Sequence, residues 1–215
     1  MSARLLYVMD PMCSWCWGFA PVVDALAAQA GSAGVELQLV VGGLRREQQV
    51  LDEAERQRIL GHWQAVHETT GQRFDRLRGM PAGLIYDTEP ACRALVVVRQ
   101  LDPRKVWPFA KVIQQAFYCE GADVSKAVEL RRLAGLVGLS ESQFADAFDA
   151  PAAHAATQSD FGWVENLGIS GFPTLLAQRD GITALLTNGY QPLQHLQPLL
   201  ARWLEQLAPT CAEIP

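Results

Sequence analysis

Apolar positions along the first forty residues change period twice. Arg4–Met9 (RLLYVM) is a short apolar and aromatic run closed by Asp10-Pro11, the pattern of a buried strand entering a turn. From Ser14 to Gln29, Trp15, Phe19, Val22, Val23 and Leu26 recur three and four residues apart, and Ala30 continues the stripe, which predicts one face of a helix. Gly31–Gly34 ends that stripe. Val35–Val41 (VELQLVV) alternates and then becomes fully apolar, a second strand that stops at Gly42-Gly43. The opening therefore reads β-α-β.

From about Glu47 to Asn166 the helical period dominates, predicting helices over Glu53–Thr69, Glu89–Gln100, Lys105–Glu120, Ser125–Leu136, Ser140–Phe148 and Pro151–Asn166. Ser140-Glu141-Ser142-Gln143 fits a capping box, in which the serine oxygen covers an orphan N–H at the helix start. Strand signals return at Thr174–Gln178 and Ile182–Thr187, separated by the hairpin turn Arg179-Asp180-Gly181, and Pro192–Leu207 closes as an amphipathic helix. A short sheet split in sequence must close in space for its outer strands to find partners. The pattern thus predicts one interrupted α/β fold: residues 1–46 and 167–215 form a discontinuous sheet-bearing domain, and 47–166 an all-helical insert. The tail Pro209–Pro215 reads as frayed.

Composition narrows the function. Of 215 residues, 49% are apolar and 19% charged, which excludes a disordered chain. Eighteen basic against 23 acidic residues give a net charge of −5, and no basic run exceeds two residues. Nucleic acid and anionic membrane surfaces both select clustered positive charge, so neither is an expected partner. Leu5–Met9 is too short for the core of a secretion signal, and no apolar run approaches the ~18 residues of a membrane span. The expected location is cytoplasmic. Five cysteines, an odd number in a chain of this size, do not form a structural disulfide framework.

The chemistry concentrates at Cys13-Ser14-Trp15-Cys16, a Cys-x-x-Cys motif placed after a strand and in the first turn of a helix. At a helix N-terminus, unpaired N–H groups and the positive end of the dipole favour a thiolate over a thiol. In such motifs the first cysteine titrates at roughly 3.5 to 7.5 instead of about 8.5, so Cys13 is expected to be the nucleophile. Cys16, one helical turn away and deeper, is placed to attack the mixed disulfide and resolve it. Half of a zinc site and a pair of inert buried thiols are the competing readings. A zinc site needs a second pair of Cys or His at short spacing. The separations of Cys92 from Cys119 (27 residues) and His62 from His67 (five) provide none, so no metal is expected.

Asp10-Pro11-Met12-Cys13-Ser14-Trp15-Cys16, the helical insert and Gly168-Ile169-Ser170-Gly171-Phe172-Pro173-Thr174 together resemble the DsbA-type thioredoxin-fold oxidoreductases over nearly the whole chain. Within that superfamily the Asp before the motif, the Trp inside it and the missing signal segment are most similar to the cytosolic FrnE-like branch of protein-disulfide isomerases. The resemblance implies a thioredoxin fold and a thiol-disulfide oxidoreductase or isomerase acting on protein or peptide disulfides, as a monomer or homodimer. It implies no cofactor beyond the redox-active disulfide itself, with glutathione as a candidate reductant. It also implies that Pro173 is cis and packed against Cys13 and Cys16, and that the Phe172 backbone pairs with a bound client strand, Ser14 and Trp15 completing the client contacts.

Pro21 falls inside the first helix, where the family carries a kinking proline; the other reading is the start of a new helix. Many members bury an acid six residues before the first cysteine to handle the resolver's proton, whereas this chain has Tyr7 there. Asp10 is the other candidate for that proton, or else it caps the turn beside Pro11. Trp17 reads as core and Trp15 as exposed. Cys92 and Cys119 read as small buried hydrophobes, with a second redox pair as the alternative. Cys211 reads as an exposed thiol, and His62, His67, His154 and His195 as solvated or core histidines. Two other functions compete: a glutathione-dependent transferase or isomerase of the kappa-class or chromene-carboxylate isomerase type, which typically replaces the first cysteine by serine, and a non-enzymatic client-holding module.

Overall fold

Strand β1 (Ala3–Met9) is buried over its last five residues because both of its faces are covered, which is why the sequence shows an apolar run there instead of an alternation. The computed structural model describes residues 3–75 and 79–207. In it, Leu5, Tyr7 and Met9 point into the core beneath helix α1 (Ser14–Ser32), while Leu6 and Val8 face Val164 and Leu176 on the other side. Strand β2 (Glu36–Val41) lies parallel to β1, pairing Arg4 with Glu36 through Met9 with Val41. Strand β5 (Thr174–Arg179) runs antiparallel on the opposite flank of β1, and β6 (Ile182–Asn188) closes the order β2-β1-β5-β6.

The β5–β6 hairpin turns at Asp180 and Gly181, both with positive φ (49° and 84°), and joins Arg179 to Ile182 in register. Two consecutive left-handed residues suit the twist of the flanking strands, and Asp-Gly is the pair that tolerates them. Helix α1 runs unbroken through Pro21 and past Gly31, so Pro21 sits inside one helix and does not start another.

Helices α2 (Glu53–Thr70), α3 (Glu89–Leu101), α4 (Val106–Glu120), α5 (Ala127–Leu136), α6 (Glu141–Phe148) and α7 (Pro151–Asn166) fill the interval between β2 and β5, and α8 (Leu193–Glu205) packs back on α1. The Ser140 hydroxyl accepts the Gln143 N–H at the start of α6. Ser125, expected in a helix, instead sits in a turn fixed by the Asp123 carboxylate, and α5 starts two residues later.

Two strands also lie in the stretch expected to be helical. β3 (Arg46–Val50) pairs antiparallel with β4 (Ile85–Asp87) in a separate small sheet. Arg-Glu-Gln-Gln-Val is exposed at every position, so it carries no apolar period to read, and its conformation depends on a partner almost forty residues away. The buried side chains of β1, α1, α2, α3, α4 and α5 form one continuous cluster. The Pro209–Pro215 tail and Cys211 lie outside the described residues.

Candidate active site

Cys13 is the residue that caps the N-terminus of α1, with extended backbone (φ −86°, ψ 117°). Its N–H donates to the Asp10 carbonyl at 3.1 Å, closing the turn that leaves β1, and its carbonyl accepts the Trp17 N–H to start the helix. The thiol faces the last loop before β5, 3.6 Å from the carbonyl oxygen of Phe172. The Phe172–Pro173 bond there is cis, and Pro173 is buried. Cys13 keeps 5% of its surface exposed and Cys16 none; the two thiols are unbonded.

Burial pushes the Cys16 thiol well above its usual range, with the Cys13 thiol and the charge of Asp10 adding to the shift and the Asp10 backbone N–H opposing it. Cys16 is therefore held as a protonated thiol. Tyr7, on β1, reaches the Cys16 carbonyl at 3.5 Å, and burial, with the neighbouring Cys16 and Cys13, raises its hydroxyl well above the ordinary tyrosine range. It stays protonated at neutral pH. Asp10 is fully buried: Oδ1 accepts the Met12 N–H at 2.8 Å and Oδ2 the Leu44 N–H at 2.7 Å. Burial raises this carboxyl also, and its hydrogen bonds hold the rise back. Asp10 thus closes the turn and sits beside the dithiol at once.

Ser14 and Trp15 are half-buried at the start of α1, and the Trp15 ring lies against Tyr190 with centroids 5.9 Å apart. Trp17 is buried, stacked on Tyr118 and donating its indole N–H to the Arg73 carbonyl. The Phe172 ring rests on Gly42: a Cβ there would stand 1.9 Å from the ring. Three contributors escaped the sequence reading. Tyr86 of β4 donates its hydroxyl to the Met12 carbonyl at 2.6 Å, bracing the loop before Cys13. Cys92 of α3 directs its thiol at Asp10 Oδ2, and Gly42 supplies the seat for Phe172. Two of them left a trace in the sequence, Cys92 as a small buried hydrophobe and the Gly42-Gly43 pair as the end of a strand, but neither reading placed them at the site.

Cys92 and Cys119 are unbonded and turned to different acceptors, Cys119 to the Arg73 carbonyl at 3.3 Å. Among the described residues no three His, Cys, Asp or Glu side chains come together as a metal site. No helix among them is long and apolar enough to cross a membrane.

The profile of the DSBA-like thioredoxin domain matches residues 4–201. A comparison with curated proteins finds no match. Among solved structures, a proposed protein disulfide isomerase from Nitrosomonas europaea superposes with a TM-score of 0.88 at 42% identity, over 96% of this chain and 99% of that one. The cytosolic disulfide reductase DsbM from Pseudomonas aeruginosa gives 0.77 at 28% identity, over 95% and 98% of the two chains. Its structure with GSH gives 0.75 at 26% identity, over 95% and 98%.

Proposed function

This chain belongs to the family of DSBA-like thioredoxin domains, and on that premise we propose that it exchanges thiols and disulfides in protein or peptide clients through Cys13 and Cys16. The observation that carries the reading is the pairing of one slightly exposed thiol at a helix N-terminus with a fully buried one a turn behind it, the first facing the Phe172 carbonyl. In the reducing direction the Cys13 thiolate attacks a client disulfide. One client sulfur leaves as thiolate and a Cys13-client mixed disulfide forms. Cys16 then attacks Cys13, the Cys13–Cys16 disulfide closes, and the second client sulfur leaves with the electron pair. Two electrons pass from the enzyme to the client, and two molecules of a thiol such as glutathione return them.

The Phe172 carbonyl and the neighbouring backbone of the Pro173 loop offer a client strand its hydrogen bonds, with Trp15 and Ser14 on the facing helix end. Residues 1–46 and 167–215 form the unit that bears the reacting groups in this reading, and the insert 47–166 supplies Tyr86 and Cys92 behind them. The likeness to a cytosolic reductase and to its form with GSH supports the reducing direction, a cytoplasmic location and glutathione as the returning thiol.

Titration of the purified protein in glutathione buffers, with alkylation and peptide mass spectrometry at each potential, tests this. A reversible two-electron transition between the Cys13 and Cys16 peptides is expected, with a midpoint closer to thioredoxin's (about −270 mV) than to DsbA's (about −120 mV). Cys13→Ser abolishes the transition, and Cys16→Ser stops at a Cys13 adduct. If no Cys13–Cys16 disulfide forms and glutathione is bound without exchange, the glutathione-transferase reading takes its place.

A further inference from the structure

Every residue of β3 is exposed, and within the β3–β4 ribbon Tyr86 alone is buried. Its ring packs on Phe117 of α4 with centroids 5.9 Å apart, and the Arg45 guanidinium covers it at 5.0 Å. Burial, with the charges of Asp10 and Cys13 adding to it, raises the Tyr86 hydroxyl far above the ordinary tyrosine range, against the weaker pull of Arg45 and Tyr118. The phenol therefore keeps its proton, and it donates that proton to the Met12 carbonyl at 2.6 Å.

The Met12 carbonyl belongs to the peptide that leads into Cys13. The N–H of the same peptide donates to the Asp10 carbonyl at 3.1 Å, so one rigid plane is held at both ends, by the turn itself and by a side chain 74 residues further on. The set of that plane fixes the backbone of Cys13 (φ −86°) at the N-terminus of α1, and with it the direction in which the thiol leaves toward the Phe172 carbonyl.

We propose that Tyr86 is a positioning residue for the dithiol: by donating to the Met12 carbonyl it offsets the negative end of the dipole that precedes Cys13, and so favours the reduced form over the disulfide. The inference rests on the dithiol exchange proposed above. A carbonyl left without its donor in a buried site repels a thiolate more than it repels a neutral disulfide, because charge and dipole act strongly where water is excluded. The hydrogen bond from Tyr86 thus stabilises the reduced protein more than the oxidised one. It also gives the otherwise exposed ribbon a task, which is to bring one hydroxyl to the peptide before Cys13.

The test takes Tyr86→Phe, which keeps the ring and loses the donor, to equilibrium with glutathione at pH 7. There the dithiol and one oxidised glutathione give the Cys13–Cys16 disulfide and two reduced glutathiones. Acid quenching, alkylation and peptide mass spectrometry read the ratio. The equilibrium constant for disulfide formation is expected to rise about three- to tenfold above the wild type, making the variant the stronger reductant. Phe144→Leu, at the contact of α6 with Phe109 of α4, loosens the core without touching the Met12 carbonyl and is expected to leave the constant unchanged. A Tyr86→Phe constant equal to the wild type, or shifted toward the dithiol, overturns the role of Tyr86. An equal shift in Phe144→Leu overturns it too, since general loosening would then account for the effect. A wild-type protein that forms no Cys13–Cys16 disulfide at any glutathione ratio overturns the exchange reading itself, a result distinct from either of the others.

Discussion

At Gly42 an added methyl group would meet the Phe172 ring 1.9 Å away, and the backbone there is ordinary, so space alone selects glycine. Gly43 next to it differs, combining a positive φ of 67° with the Phe161 ring 2.8 Å from a would-be Cβ. Because Phe172 carries the carbonyl that faces Cys13, Gly42→Ala should both overpack the core and push that carbonyl off the thiol. The expected loss is about 1–3 kcal/mol in urea unfolding together with slower exchange of a model disulfide; a variant of wild-type stability and rate would show that the ring has room to move. The placement of Cys13 and Cys16 at the start of α1 was legible because it depends on four residues of sequence and one change of period. Cys92 was not, since a thiol on a buried helix face looks the same whether it touches a carboxylate or a leucine. Its contact with Asp10 spans 82 residues. Tyr7 at the position of the expected acid was visible, but that it stays protonated under the dithiol required the packing around it.

The outer edge of β2 shows how one ion pair can serve three elements. Arg99 on α3 forks onto the Asp160 carboxylate of α7 at 2.8 and 2.9 Å, and it also donates to the Leu39 carbonyl. Asp160 in turn accepts the Val41 N–H at 3.1 Å. An edge strand with open backbone groups invites pairing with other chains, and here two helices cover it. With side chains only 20% and 15% exposed, the pair is sheltered from solvent, and removing one partner strands the other. Asp160→Ala is expected to lose roughly 3 kcal/mol in denaturant unfolding, and a double-mutant cycle with Arg99→Ala should return a coupling that falls only weakly with salt. Neither residue was distinguishable in the sequence from a solvated helix charge. At this scale the periodic elements were legible almost to the residue, α7 and β6 among them. The β3–β4 ribbon was not, because β3 has no buried face to impose a period of two and β4, with Tyr86 alone buried, is three residues long.

The same core cluster takes in side chains from the sheet and from helices of the 47–166 segment, without a solvated seam between them. Urea unfolding followed by far-UV and near-UV circular dichroism should therefore give coincident, single transitions; two separated midpoints would show that the helical segment melts by itself. That the outer strands must meet around the helices was legible in the order β-α-β, helices, β-β-α. How closely the helices press against the sheet was not, since helical period marks which face is buried and not what buries it. The meeting of Cys13 with Phe172 joins points 159 residues apart. On a ribosome adding roughly 5–20 residues per second, that separation corresponds to about 8–30 s during which the dithiol has been made and its facing loop has not. For that interval the newborn chain carries the Cys13 sulfur without the loop that later faces it, and cellular disulfides, oxidised glutathione among them, have the first opportunity to exchange with it.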